Sequence, residues 1–131
     1  MVGIVLVSHS AALAAGLKAL VDQLTQGTVR VEAAGGAAGS LGTDATLVAA
    51  GIERADAGAG VVVLVDLGSA VLSAETACEL LPADLRARVA LADAPLVEGA
   101  VAASVEASLG SPLADVKAAA EAAAGLPKFA H

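Results

Sequence analysis

Val2–Val7 reads VGIVLV and runs into Ser8-His9-Ser10; Val61–Val65 reads VVVLV and runs into Asp66-Leu67-Gly68-Ser69. Aliphatic runs this short and this unbroken are expected of strands covered on both faces, as in a parallel sheet flanked by helices. Working outward, Val29–Ala33 and Val89–Ala92 read as two weaker strands. Helical patterns fall between them. Leu13, Leu17, Leu20, Val21 and Leu24 trace one apolar stripe, Leu47, Val48, Gly51 and Ile52 a shorter one, and Val97, Val101 and Val105 a later one. Ser111-Pro112 offers an N-cap and a first-turn proline for an Ala-rich final helix. The order β-α-β-α-β-α-β-α-α predicts an α/β fold, a single doubly wound, mostly parallel sheet flanked by helices, with right-handed crossovers. Ala34–Gly42 reads as a Gly-rich loop.

Composition narrows the function classes. The chain has 131 residues, 57% hydrophobic but 1% aromatic, with 7 basic and 14 acidic residues for a net charge of −7. An acidic chain with no Trp or Tyr cannot build a basic groove lined with stacking rings, which excludes nucleic acid as a partner. Abundant Val and Leu exclude a disordered chain. Cys78, the one cysteine, reads as a helix-packing residue and excludes an internal disulfide. No Lys or Arg precedes the apolar start, and no apolar run approaches the ~20 residues that span a bilayer. The expectation is a cytoplasmic chain with no membrane partner.

In open α/β sheets ligands bind beyond the carboxyl ends of the strands, where strand order reverses. In a flavodoxin-like order 2-1-3-4 that point lies between strands 1 and 3, so Ser8-His9-Ser10 and Asp66-Leu67-Gly68-Ser69 face each other. Gly42-Thr43-Asp44 follows strand 2 and opens its helix. An imidazole beside a carboxylate is held as one tautomer with its other nitrogen free as nucleophile or base. His9 and Asp66 are the candidate catalytic pair, Asp66 orienting His9 and stabilising positive charge on its ring. Gly68, Ser69, Gly42 and Thr43, near helix starts, are the candidate phosphate-binding residues. The competing readings are a strand-end histidine for His9, a helix N-cap for Asp66 and caps for Ser69 and Thr43. His131 reads as a bland terminus.

Other chemistries lack their residues. There is no G-x-x-x-x-G-K-[ST] loop for a nucleotide and no G-x-G-x-x-G turn after strand 1. Ser8-His9-Ser10 is no triad, since neighbours along a chain point apart. Two histidines and one cysteine make a His-rich metal site implausible, so no metal is expected. A receiver-like regulatory module using Asp66 as phosphoacceptor would need acidic residues after strand 1 and a lysine after the last strand; Ser8, His9 and Ala92-Asp93-Ala94 stand there instead.

Four motifs occur in order: Val5-Leu6-Val7-Ser8-His9-Ser10, Gly42-Thr43-Asp44, Val65-Asp66-Leu67-Gly68-Ser69-Ala70 and Ala94-Pro95-Leu96-Val97-Glu98-Gly99. In these the chain resembles the phosphotransferase subunits of bacterial dihydroxyacetone kinases, the DhaM family, whose first domain is similar to mannose-family enzyme IIA. The resemblance covers nearly the whole chain. It implies a phosphoryl-transfer domain over residues 1–124 and a short C-terminal tail over 125–131. It implies that His9 accepts a phosphoryl group from the histidine phosphocarrier protein of the phosphotransferase system. His9 then passes it to ADP bound on a partner kinase subunit, where ATP is regenerated and phosphorylates dihydroxyacetone. No cofactor is implied in this subunit. Longer members carry fused phosphocarrier and enzyme I-like domains; ending at 131, this chain is expected to meet its donor as a separate protein. A homodimer is also implied. The alternatives are a mannose-family sugar-transport enzyme IIA, a binding module that has lost transfer, and the receiver-like module.

Overall fold

The computed structural model describes residues 1–129, so His131 lies outside the described residues. In chain order the elements are β1 (Gly3–Ser8), α1 (Ala11–Thr25), β2 (Val31–Gly35), α2 (Ala45–Ala55), β3 (Val61–Val65), α3 (Ser69–Glu79), α4 (Ala83–Arg86), β4 (Val89–Leu91), α5 (Leu96–Ser108) and α6 (Leu113–Ala122), with a closing 3₁₀ turn at Ala123–Gly125. The four strands pair in parallel in the order β2-β1-β3-β4. The fold class and the order 2-1-3-4 of a flavodoxin-like sheet are as expected.

Alternation along the central strands builds two cores. Ile4, Leu6, Val62 and Leu64 point to one face, against α1, α5 and α6. Val5, Val7, Val61 and Val63 point to the other, against α2 and α3. All eight are at most 1% exposed, which is why neither strand shows a polar alternation in sequence.

Several expectations need correcting, because small residues take part of the face turned to the sheet and some of the larger aliphatics lie outside. On α1 the buried residues are Ala14, Leu17, Val21 and Thr25, whereas Leu13, Leu20 and Leu24 are exposed. On α5 the buried face is Gly99, Ala100, Ala103, Ser104 and Ala107, and the Val97 and Val105 of the expected stripe are half exposed. The reason is clearance. A Cβ on Gly99 would stand 2.8 Å from Leu64 Cδ2, so α5 lies too close to the sheet for anything bulky. Leu47 likewise is exposed, while Val48, Gly51 and Ile52 are buried.

The second strand runs Val31–Gly35 rather than Val29–Ala33, which takes Ala34 and Gly35 out of the expected loop. Its pairing reaches Ser8↔Gly35, and a Cβ at Gly35 would sit 2.6 Å from Ser10 O, so only glycine lets α1 begin there. The short α4 was not expected. α6 takes Pro112 as its N-cap with no side-chain cap bond, so Ser111 does not cap it.

Candidate functional site

The register of β1 on β3 sets Val7 beside Val65, so the next residues along the two chains, Ser8 and Asp66, are neighbours. One further rung extends the pairing: Asp66 N–H donates to Val7 O at 3.0 Å. The chain beyond β1 then bends so that His9 N–H donates to Asp66 Oδ2 and His9 Nδ1 lies against Asp66 Oδ1, both at 2.9 Å. The Ser8 hydroxyl donates to Oδ2 at 2.9 Å, and Leu67 N–H donates to Oδ1 at 2.7 Å. Four donors therefore converge on one carboxylate.

Burial is the largest single influence on Asp66 and would raise its pKa. Together the hydrogen bonds from the His9 backbone, the His9 ring, Ser8 and Leu67 outweigh it and hold the carboxyl below its ordinary value. Asp66 is ionised at neutral pH, and an ionised carboxylate can only accept. The ring nitrogen facing it is thus Nδ1–H, and the lone pair resides on Nε2. Ser69 Oγ lies 2.9 Å from that Nε2. The His9 side chain is 28% exposed; its Nδ1 is held by the carboxylate and its Nε2 is met by the hydroxyl of the exposed Ser69.

The other expected residues are placed as follows. Gly42 approaches His9 through its N–H, which donates to His9 O at 2.8 Å and is occupied in that bond. Its φ of 137° lies in the region that favours glycine. Thr43 is not a cap: Asp44 is the N-cap of α2, accepting from Thr46 N–H at 2.9 Å. The Thr43 hydroxyl instead meets Ser73 Oγ at 2.6 Å, tying the loop after β2 to α3. Ser69 is not a cap either; Gly68 holds the N-cap position of α3, and no side chain caps it. Nor does Asp66 cap α3. Gly68 and Ser69 donate their N–H groups to no partner among the described residues. Sequence reading missed Ser73, whose one signal is its place a helical turn after Ser69. A cleft of about 390 Å³ opens beside Asp66, between the Leu67-Gly68 turn and the Leu91–Ala94 strand end.

This geometry coincides with a family match. The family model for EIIA-man, described as the fructose IIA component of the PTS system, matches residues 3–117. The chain belongs to the EIIA-man family. Among its relatives is the phosphoryl donor subunit DhaM of PEP-dependent dihydroxyacetone kinase 2 from Listeria innocua, 42% identical over 107 residues, covering 81% of this chain and 86% of that one. The corresponding DhaM subunit of Escherichia coli is 44% identical over 115 residues, covering 85% of this chain but 24% of the longer relative. A crystal structure of a protein of unknown function superposes with a TM-score of 0.84 at 35% identity, covering 98% of both chains. Among the described residues, no helix of this EIIA-man chain is long and apolar enough to cross a membrane.

Proposed function

We propose that this chain is the phosphoryl donor subunit of a phosphoenolpyruvate-dependent dihydroxyacetone kinase, with His9 as the phosphoryl carrier. The observation that carries the reading is the His9 ring, held at Nδ1 by Asp66 and met at Nε2 by the hydroxyl of the exposed Ser69. The DhaM relatives support the same conclusion from their names and from their similarity over most of this chain.

In the first step Nε2 attacks the phosphorus of a phosphorylated histidine on the phosphocarrier protein. A new N–P bond forms as the donor's N–P bond breaks, and the donor imidazole leaves with the electron pair. The Ser69 hydroxyl, which rests on Nε2, rotates aside and is then near enough to donate to a phosphoryl oxygen. The Gly68 and Ser69 N–H groups at the start of α3 favour the added negative charge. Asp66 keeps Nδ1 protonated and offsets the positive charge of the phosphorylated ring. In the second step a β-phosphate oxygen of ADP, held on a partner kinase subunit, attacks the same phosphorus. The His9 N–P bond breaks and ATP forms for the phosphorylation of dihydroxyacetone. Both exchanges belong in the cytoplasm, where the carrier and the kinase subunit are soluble.

A receiver-like role for Asp66 is poorly supported, because both its oxygens are already engaged by four donors. One experiment separates the readings. Incubated with labelled phosphoenolpyruvate, enzyme I and the phosphocarrier, the protein should take up label that survives base and is lost in acid, as a phosphohistidine does. His9→Ala should take up none while unfolding at nearly the same temperature. Base-labile label, or label persisting on His9→Ala, would move the chemistry to a carboxylate.

A further inference from the structure

We propose that Ser8 is a positioning residue of this site: its buried hydroxyl fixes the rotation of the Asp66 carboxylate that presents Oδ1 to the His9 ring. The inference rests on the reading of His9 as phosphoryl carrier and assigns a role to a residue which that reading leaves unused. Ser8 is the last residue of β1 and is 0% exposed. Its hydroxyl has a single hydrogen, and that hydrogen goes to Asp66 Oδ2 at 2.9 Å. Its oxygen simultaneously accepts Ser10 N–H at 3.0 Å. With a lone pair and the proton both committed, the hydroxyl cannot turn to another partner.

The other donors do different work. His9 N–H and Leu67 N–H belong to the backbone on either side of the crevice and would remain whatever stood at position 8. Among the described residues, Ser8 is the only side chain besides the His9 ring that grips Asp66. It also anchors Ser10 N–H, and Ser10 is the N-cap of α1 through its bond from Leu13 N–H. One hydroxyl thus ties the orienting carboxylate to the backbone on the far side of His9. Removing it frees Oδ2 of one donor, leaves Ser10 N–H without its acceptor, and allows the carboxylate to turn away from Nδ1. Losing a donor to the ionised form also makes Asp66 easier to protonate, so its pKa rises. Because transfer needs Asp66 ionised to hold Nδ1–H, the acidic limb of the rate must then move to higher pH.

The test uses Ser8→Ala and Ser8→Thr in the full chain. Phosphoryl uptake from the phosphorylated carrier is followed against pH, alongside NMR titration of the Asp66 carboxyl carbon and of the His9 ring nitrogens without phosphate. Ser8→Ala should slow uptake roughly 10-fold, which corresponds to about 1.36 kcal/mol on the barrier. Its acidic limb and its Asp66 titration should both move upward, and Ser8→Thr, which keeps the hydroxyl, should restore both. If Ser8→Ala does not fold, Ser8→Cys, with its weaker S–H donor, should show the same displacement in smaller measure. An Asp66 titration that does not move in Ser8→Ala, or a Ser8→Thr no better than Ser8→Ala, overturns the assignment. The titrations need no phosphate, so a wild-type chain that accepts none would fail the carrier reading while the positioning role of Ser8 is still decided by the Asp66 titration.

Discussion

Two aspartates bracket β3, and their side chains are nearly equally buried: Asp56 is 12% exposed and Asp66 13%. Both carboxyls are held below their ordinary pKa, by different means. Asp56, the C-cap of α2, is gripped by a guanidinium, with Arg88 Nη2 2.6 Å from Oδ2 and Arg88 Nε 3.1 Å from Oδ1, and Gly58 N–H adds a third bond at 3.0 Å. Its pKa is lowered chiefly by the Arg88 hydrogen bonds. Asp66 has no such cation and relies on several weaker donors against a larger burial penalty. The contrast lies in what each partner has left over. A guanidinium is always charged and has no lone pair to offer, so Asp56–Arg88 is a closed clamp between the end of α2 and the start of β4. An imidazole engaged at Nδ1 keeps a lone pair at Nε2, here met by the Ser69 hydroxyl, and under the proposed function that is the side that reacts. Side-chain exposure barely distinguishes the two ends of the strand; partner chemistry does.

Removing each negative charge in turn separates the two ends of β3 most strongly. Asp66→Asn should slow phosphoryl uptake by roughly 10- to 1,000-fold, because a charge-assisted hydrogen bond becomes a neutral one and the amide can present NH₂ to the ring and favour the wrong tautomer. Rapid-quench measurement with phosphorylated carrier reads this directly, and a native rate would leave His9 working without a charged partner. Asp56→Asn is expected to leave that rate within about twofold and to lower Tm by roughly 5 °C, a shift that calorimetry resolves. A transfer defect in Asp56→Asn would erase the distinction between the two ends.

The smallest effect is on the acid stability curve. Both aspartates have native pKa values depressed below the unfolded value of about 4. Their contribution is therefore complete above that value and is lost as pH falls through the native ones. Urea midpoints should stay level from neutral pH to about pH 4 and fall below it. Either Asp→Asn variant should show a shallower fall, and a curve that declines well above pH 5 would place the titrating groups elsewhere.

The two aliphatic runs were legible because a strand buried on both faces leaves no polar alternation to confuse with an amphipathic helix. The crevice was legible once a flavodoxin-like strand order was assumed, since that order puts the ends of β1 and β3 side by side. The helix faces were not. Hydropathy ranks Leu and Val above Ala and Gly, yet α1 and α5 turn Ala14, Gly99, Ala100 and Ala103 inward and leave Leu20 and Val105 outside. At Gly99 what decides this is the room above Leu64, a quantity set by three dimensions.

Four strands, with a histidine after the first and an aspartate after the third, could be read from the sequence; their order came from the assumed flavodoxin-like arrangement and is observed in the sheet. The sequence could equally have supported caps at Thr43, Ser69 and Asp66, since a hydroxyl or carboxylate near a helix start is chemically suited to that work. Tertiary structure decided otherwise. It sent Thr43 to Ser73, Ser69 to His9 Nε2 and Asp66 to His9 Nδ1. The tautomer of His9, and so which nitrogen is left to react, is fixed by a contact between residues 57 apart in the chain. A hydrogen bond forms only within a few tenths of an ångström and over a narrow range of angles. That precision comes from the β1–β3 register and the Ser8, His9 and Leu67 donors acting together, and no local pattern of residues contains it.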